Sequence, residues 1–329
     1  MNKERSQQFL ERIKKSVIVA DGAMGTMVQT LAKNPVDCIE ELNLTNPELI
    51  SEIHRQYVRA GTLLIETNTF GANRFSLGKM GLGNKVKEIN IAGVKLARQE
   101  VSSDGFVAGA IGPILDSTKS NNEISDAEIE DIFHEQATYL IEAGVDVIIL
   151  ETFADSAQLL SAVRVVKNIA PIPLIASVAS GPDGTTYQGE DLRAVFLKLL
   201  ASGADVVGLN CGYGIRAIET ALTHIGEINA PVSAMPNAGI PERVGGRLIY
   251  GVSEEYFADE AVHLAQMGVK IIGGCCGTTP AHIEAVAQKL REKKIIIKPR
   301  HRAAIETAVA TEQFKQGQFL SSIPADTLP

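Results

Sequence analysis

Eight times between residues 17 and 293, a short β-branched run is followed by a longer amphipathic segment. The runs fall at 17–20, 63–66, 106–111, 145–150, 173–178, 206–209, 232–235 and 271–273, and read as strands. Helices are expected from Pro47 onward and over 85–100, 126–142, 156–168, 192–201, 215–225, 253–267 and 280–293. Pro47 follows the cap candidates Thr45 and Asn46, and Pro280 follows Thr279, so both prolines suit a first helical position. The apolar stretch 145–150, broken only by Asp146, suits a parallel strand covered on both faces. Eight strand–helix pairs in roughly 290 residues match an α/β fold of the (β/α)8 TIM-barrel type. An open doubly wound sheet is the alternative, but its first turn carries GxGxxG, whereas this chain has Asp21-Gly22-Ala23-Met24-Gly25. One domain over 1–294 is expected, with 295–329 as a tail or linker that opens with a short strand at 295–297.

Composition narrows the partners. Apolar residues make up 45% of the 329 and charged residues 21%, enough for an ordinary core. A net charge of −8 argues against a phosphate-binding face, so no nucleic-acid partner is expected. No apolar run approaches the roughly 18 residues of a membrane span, and residues 1–15 lack the apolar stretch of a secretory signal. The expected setting is the cytoplasm, with no membrane partner. The cysteines are Cys38, Cys211, Cys275 and Cys276, too few for a disulfide framework in a chain this long.

In a barrel, the residues just after each strand share one rim, and that rim holds the chemistry. Here it collects Asp21-Gly22-Ala23, Glu66-Thr67-Asn68-Thr69, Glu151-Thr152, Asn210-Cys211-Gly212, Pro236-Asn237 and Gly274-Cys275-Cys276-Gly277. Three converging thiolates suit Zn²⁺ and leave a fourth position open, as in catalytic sites. Gly273, Gly274 and Gly277 would let the chain bend between adjacent ligands. The alternative is that Cys211 and Cys275 are small core residues and Cys276 alone is exposed. Cys38 lies off the rim. Glu151, Glu66 and Asp21 are the acidic residues of this rim. Thr69 and Asn73 read as loop-ordering residues. No histidine falls on a strand end; His54, His134, His263 and His282 are expected exposed or half-buried on helices. The connection 238–251 reads as surface loop, with a cover over the site as the alternative.

Five segments together resemble the homocysteine S-methyltransferase family: DGAMGT (21–26), ETNTFGAN (66–73), GLNCG (208–212), MPNAG (235–239) and GGCCGTTPAHI (273–283). CIEELNLTNPELI (38–50) is most similar to the N-terminal homocysteine module of cobalamin-type methionine synthases, or to the module fused to a methylenetetrahydrofolate reductase. The resemblance implies Zn²⁺ on Cys211, Cys275 and Cys276, with Asn237 as fourth ligand when substrate is absent. It implies that Asp21 and Gly22 contact the amino-acid head of homocysteine and that Glu151 receives its ammonium; for such a substrate Glu66 is a further acidic candidate, backbone N–H groups around Gly22, Ala23, Thr67 and Asn68 are candidates for its carboxylate, and the alternative for Asp21 is stabilising the first turn. The implied reaction is methylation of the homocysteine thiolate to methionine. The donor stays open among methylcobalamin, methyl-folate and a sulfonium, brought by a separate domain or protein. Rival readings are another thiol or selenol acceptor methylated by S-methylmethionine or betaine, and a zinc-stabilised docking barrel without catalysis.

Overall fold

The computed structural model describes residues 3–114, 124–244 and 247–294, so the expected strand at 295–297 and the tail lie outside the described residues. The strands are β1 (Ile18–Val19), β2 (Leu64–Glu66), β3 (Phe106–Ile111), β4 (Val147–Phe153), β5 (Leu174–Val178), β6 (Val206–Cys211) and β7 (Val232–Pro236). A hairpin of β8 (Glu242–Val244) and β9 (Arg247–Ile249) follows, then β10 (Ile271–Ile272). Eight of them pair in parallel in the order β1-β10-β7-β6-β5-β4-β3-β2. A parallel bridge between Ala20 and Leu64 joins the two ends, with Leu63 N–H donating to Val19 O at 2.8 Å. The expected (β/α)8 barrel is what forms.

Helices surround it: α1 (Lys3–Lys15), α2 (Met24–Leu31), α3 (Leu42–Thr45), α4 (Pro47–Arg59), α5 (Arg74–Lys79), α6 (Val86–Glu100), α7 (Asp126–Ala143), α8 (Ser156–Ile169), α9 (Leu192–Ala201), α10 (Ile215–Ile225), α11 (Glu254–Gln266) and α12 (Pro280–Glu292). None among the described residues is long and apolar enough to cross a membrane. Two observations differ from the sequence expectation and bear on the site. Residues 3–15 form a helix whose Phe9 and Ile13 pack with the barrel interior beside Ile18, Phe106, Val147 and Ile271. The rings of Phe9 and Phe106 meet edge to face at 5.4 Å. Leu10, Ile13 and Phe9 lie on one helical face, which is the signal for this helix. The strands also run further than expected at β4 and β6, so Glu151 and Cys211 stand on strand ends rather than in the loops after them.

His54 corrects another expectation. It is fully buried on α4, and neither ring nitrogen has a hydrogen-bond partner among the described residues. Burial lowers its pKa from 6.5 to about 4. Below pH 6.5 the unfolded chain takes a proton that the folded protein refuses until about pH 4, so stability falls as pH drops through that window. The loss amounts to about 3 kcal/mol on the linkage relation. His54→Leu should remove that slope; urea unfolding at pH 7 and 4.5 reads it, and parallel losses in both proteins would contradict it.

Candidate functional site

The three expected cysteines meet at the rim. Cys211 ends β6, and Cys275 and Cys276 lie between β10 and α12; their sulfurs are all within 4.8 Å of one another. Backbone bonds from three sides bend the Cys275–Cys276 loop. Gly274 N–H donates to Asp21 O at 2.8 Å, Cys275 N–H to Pro236 O at 2.8 Å and Gly277 N–H to Thr26 Oγ1 at 3.0 Å. Ala238 N–H donates to Cys276 O at 2.9 Å, and Thr278 Oγ1 to Cys275 O at 2.7 Å. Of the three flanking glycines only Gly277 needs its conformational freedom, with φ +81°; a Cβ on Gly274 would instead fall 2.3 Å from Thr278 Oγ1. Cys211 itself sits at φ 62°, a strained setting for a side-chain-bearing residue and one common at functional sites.

The core-residue alternative holds for Cys211, which is buried, but not for Cys275, which is half-buried like Cys276. Cys38 stands apart, its thiol donating to Glu40 Oε2 at 3.5 Å. Hydrogen bonds from Cys275 and Cys276 draw the Cys211 thiol down to about 3. Donation to Cys211 pushes Cys276 up to about 12, and the Cys275 thiol is raised well above its ordinary value for the same reason. Three thiols this close oppose one another's ionisation, and a dication is the partner that lets all three ionise. The donor set fits a soft, tetrahedral metal such as Zn²⁺. Asn237 adds to the fit: its Nδ2 donates to Gly212 O at 2.8 Å while its buried Oδ1 has no hydrogen-bond partner among the described residues.

Three carboxylates stand beside the sulfurs. Asp21 follows β1, Glu66 ends β2 and Glu151 lies on β4. Asp21 Oδ2 accepts from Glu66 N–H at 2.9 Å, and Asp21 Oδ1 and Glu66 Oε1 are buried without a hydrogen-bond partner. Glu66 and Glu151 are neighbours, each shifting the other's protonation. Burial first, then the charges of Glu151 and Asp21, raises Glu66 well above the carboxylate range, which favours its neutral form. Burial also raises Asp21 well above its ordinary value, and it raises Glu151 to about 7. Among the described residues no Lys or Arg pairs with any of the three. Asn210 ties the two halves of the site together. Its Nδ2 donates to Glu151 Oε2 at 3.3 Å and its Oδ1 accepts from Thr152 N–H at 2.8 Å, one residue before Cys211.

The remaining expected residues shape the rim from within. Gly22 lies where a Cβ would come within 2.5 Å of Thr278 Oγ1. Ala23 N–H donates to Thr278 Oγ1 at 3.1 Å and Thr67 N–H to Ala108 O at 2.9 Å. Those two N–H groups are thus committed inside the protein, against the expectation that they hold a substrate carboxylate. Asn68 turns its Nδ2 to Ile39 O at 2.7 Å and Asn43 Oδ1 at 3.0 Å, bracing the α3 region. Thr69 and Asn73 order the loop as expected, Asn73 Oδ1 accepting from Ser76 N–H at 2.8 Å.

Sequence reasoning gave no role to Tyr57, Thr278 or Tyr250. The Tyr57 hydroxyl lies 3.2 Å from Ala23 O and 3.3 Å from Thr278 O, locking the first and last loops together. Tyr250, just after β9, packs so close to Gly277 that a Cβ there would fall 2.1 Å from its Cγ. Ala238 and Tyr250, at the two ends of the connection 238–251, thus lie against the loop that carries Cys275 and Cys276.

A family model for homocysteine S-methyltransferase matches residues 18–290. Methionine synthase of Mycobacterium tuberculosis (strain ATCC 25618 / H37Rv) is 32% identical over 323 residues, covering 92% of this chain and 27% of that protein. Methionine synthase of Mycobacterium leprae (strain TN) is 33% identical over 299 residues, covering 85% and 25%. The chain thus spans about a quarter of the length of these relatives. The metallated crystal form of the homocysteine methyltransferase MmuM from Escherichia coli shares the fold, with TM-score 0.72 at 24% identity over 87% of this chain and 99% of that one. With the matched segment running from β1 to the end of α12 and enclosing every rim loop described above, this chain belongs to the homocysteine S-methyltransferase family.

Proposed function

We propose that this barrel is a zinc-dependent module that methylates the thiolate of homocysteine to give methionine. One observation carries the reading: three sulfurs converge beside three carboxylates that lack a cationic partner among the described residues. A ligand with a sulfur at one end and an ammonium at the other answers both halves. Cys211, Cys275 and Cys276 would hold Zn²⁺, with Asn237 Oδ1 beside them until substrate arrives. When bound, the metal supplies a thiolate at neutral pH, where a free thiol with a pKa of about 8.5 is mostly protonated.

The chain's own residues do the rest. Glu151 takes the ammonium, with Asn210 fixing its Oε2 and neutral Glu66 donating to it. Asp21 Oδ1 offers a second acceptor, and Gly22 keeps the first turn narrow enough for the head group to reach both. Backbone N–H groups near Gly22 and Asn68 are left to receive the carboxylate. The methyl donor, whether methylcobalamin, methyl-folate or a sulfonium, comes from another domain or protein. That agrees with relatives about four times as long as this chain. Closely spaced free thiols suit a reducing, cytoplasmic compartment.

Metal analysis and X-ray absorption with and without homocysteine test the reading. One zinc per chain, moving from three sulfur neighbours to four on adding homocysteine, is expected. A metal shell that homocysteine leaves unchanged would overturn it.

A further inference from the structure

Homocysteine is one methylene longer than cysteine, so a site that grips both ends of its ligand tells them apart by holding those ends at a fixed spacing. Here the two grips stand on different strands. Glu151 lies on β4 and Cys211 ends β6, with β5 paired between them. The Asn210 side chain spans the gap. Asn210 precedes Cys211, is 1% exposed, and turns both ends of its amide to β4. Its Oδ1 accepts from Thr152 N–H at 2.8 Å, while its Nδ2 donates to Thr152 Oγ1 at 2.7 Å and to Glu151 Oε2 at 3.3 Å. A backbone N–H can only donate, so the bond from Thr152 also fixes which end of the amide faces Glu151.

The backbone on both sides of this link is strained. Thr152 has φ 63° and Cys211 φ 62°, a region that side-chain-bearing residues rarely adopt, and the register of β4 against β5 shifts between Leu150 and Phe153. Thr152 directly follows Glu151, and Cys211 directly follows Asn210. Such strain persists only where surrounding contacts hold it, and at Thr152 the bonds of Asn210 do so.

We propose that Asn210 is a positioning residue that sets the spacing between Glu151 and the sulfur cluster, and thereby selects homocysteine over the shorter cysteine. The inference rests on the zinc–homocysteine reading above. With its ammonium on Glu151 and its sulfur at the metal, homocysteine meets both grips at once. A ligand one methylene short has to give up one contact or draw Glu151 toward the sulfurs, and the Asn210 bonds resist that movement. Cutting them lets Thr152 relax and Glu151 shift, so homocysteine loses its fixed partner while cysteine gains reach.

The test is titration calorimetry of zinc-loaded protein with L-homocysteine, L-cysteine and 4-mercaptobutyrate, with zinc content measured before and after. 4-Mercaptobutyrate keeps the sulfur and carboxylate of homocysteine but has no ammonium. The unaltered protein should prefer homocysteine to cysteine by about a hundredfold, within the range that one methylene supports. Asn210→Ala should keep its zinc and bind homocysteine about tenfold more weakly, the effect of one hydrogen bond to a charged group. Its affinity for cysteine should not fall, so the preference drops by at least that factor, and 4-mercaptobutyrate should bind both proteins equally. A preference retained in Asn210→Ala, or equal weakening of all three thiols, overturns the positioning role and leaves the zinc reading standing. Unaltered protein that binds homocysteine no more tightly than 4-mercaptobutyrate overturns the ammonium reading and this inference with it. Should Asn210→Ala fail to fold, Asn210→Asp decides. It keeps the size of the side chain and the acceptor for Thr152 N–H but has no Nδ2 to hold Glu151, and an unchanged preference there overturns the proposal as well.

Discussion

Cys275→Ser should strip the protein of zinc and lower homocysteine-dependent turnover by on the order of a thousandfold, since Lewis-acid stabilisation is worth several kcal/mol. The serine oxygen is smaller than sulfur and stays protonated at neutral pH, so the site would keep two soft donors in place of three. No further sulfur among the described residues joins the cluster. The third residue offering a donor beside the sulfurs is Asn237, whose amide oxygen is a neutral ligand. The fold itself should survive. Cys275 lies outside the packed interior, and its loop is held by backbone bonds to Pro236 and Thr278 that serine leaves in place. Cys38→Ser is the control, because its thiol bonds Glu40 away from the cluster. Zinc content, far-ultraviolet circular dichroism and turnover for the two variants give the answer. A Cys275→Ser protein that retains metal and rate would remove the sulfur cluster from the mechanism.

The sulfur cluster was legible before the fold because strand endings were. Apolar runs such as 145–150, broken only by Asp146, suit strands covered on both faces, and placing eight such strands in one barrel puts Cys211 and Cys275-Cys276 on one rim despite the 63 residues between Cys211 and Cys275. What stayed hidden depended on contacts between distant segments. The N–H groups of Ala23 and Thr67 look available in the sequence; Thr278 and the β3 strand claim them only once the loops close. Asn210 stood on the rim without a role, because its bonds to Glu151 and Thr152 require the bulge of β4 at Thr152, with φ 63°. Residues 3–15 drew attention for their charge, while the two apolar residues that enter the barrel, Phe9 and Ile13, are a minority in that segment. Tyr250 was invisible for the same reason: a tyrosine in a glycine-rich connection has no periodicity to betray its target.

Glu151→Gln should raise the KM for homocysteine by about a hundredfold, in line with the loss of one partner from a buried charge pair, and leave zinc content unchanged. The neutral amide can still bond Asn210 but offers an ammonium no charge. The pH dependence follows from the same group. Burial raises Glu151, the hydrogen bond from Glu66 lowers it, and the charge on Cys211 raises it again, to about 7. Binding needs the carboxylate ionised, so KM should be flat above that pH and rise about tenfold for each unit below it. A dication on Cys211 cancels that last contribution, so the zinc-loaded enzyme should turn at or below about 7. Glu151→Gln should show no such turn at all. The two substitutions at Glu66 then separate charge from hydrogen bonding. Glu66→Gln retains a donor for Glu151 and should keep the turning point. Glu66→Leu removes the donor that lowers Glu151, so its turning point should move to higher pH. KM profiles of the four proteins between pH 5.5 and 8.5 decide it. An acid limb that survives in Glu151→Gln would place the titrating group elsewhere, and identical profiles for both Glu66 variants would show that the proton on Glu66 does not reach Glu151.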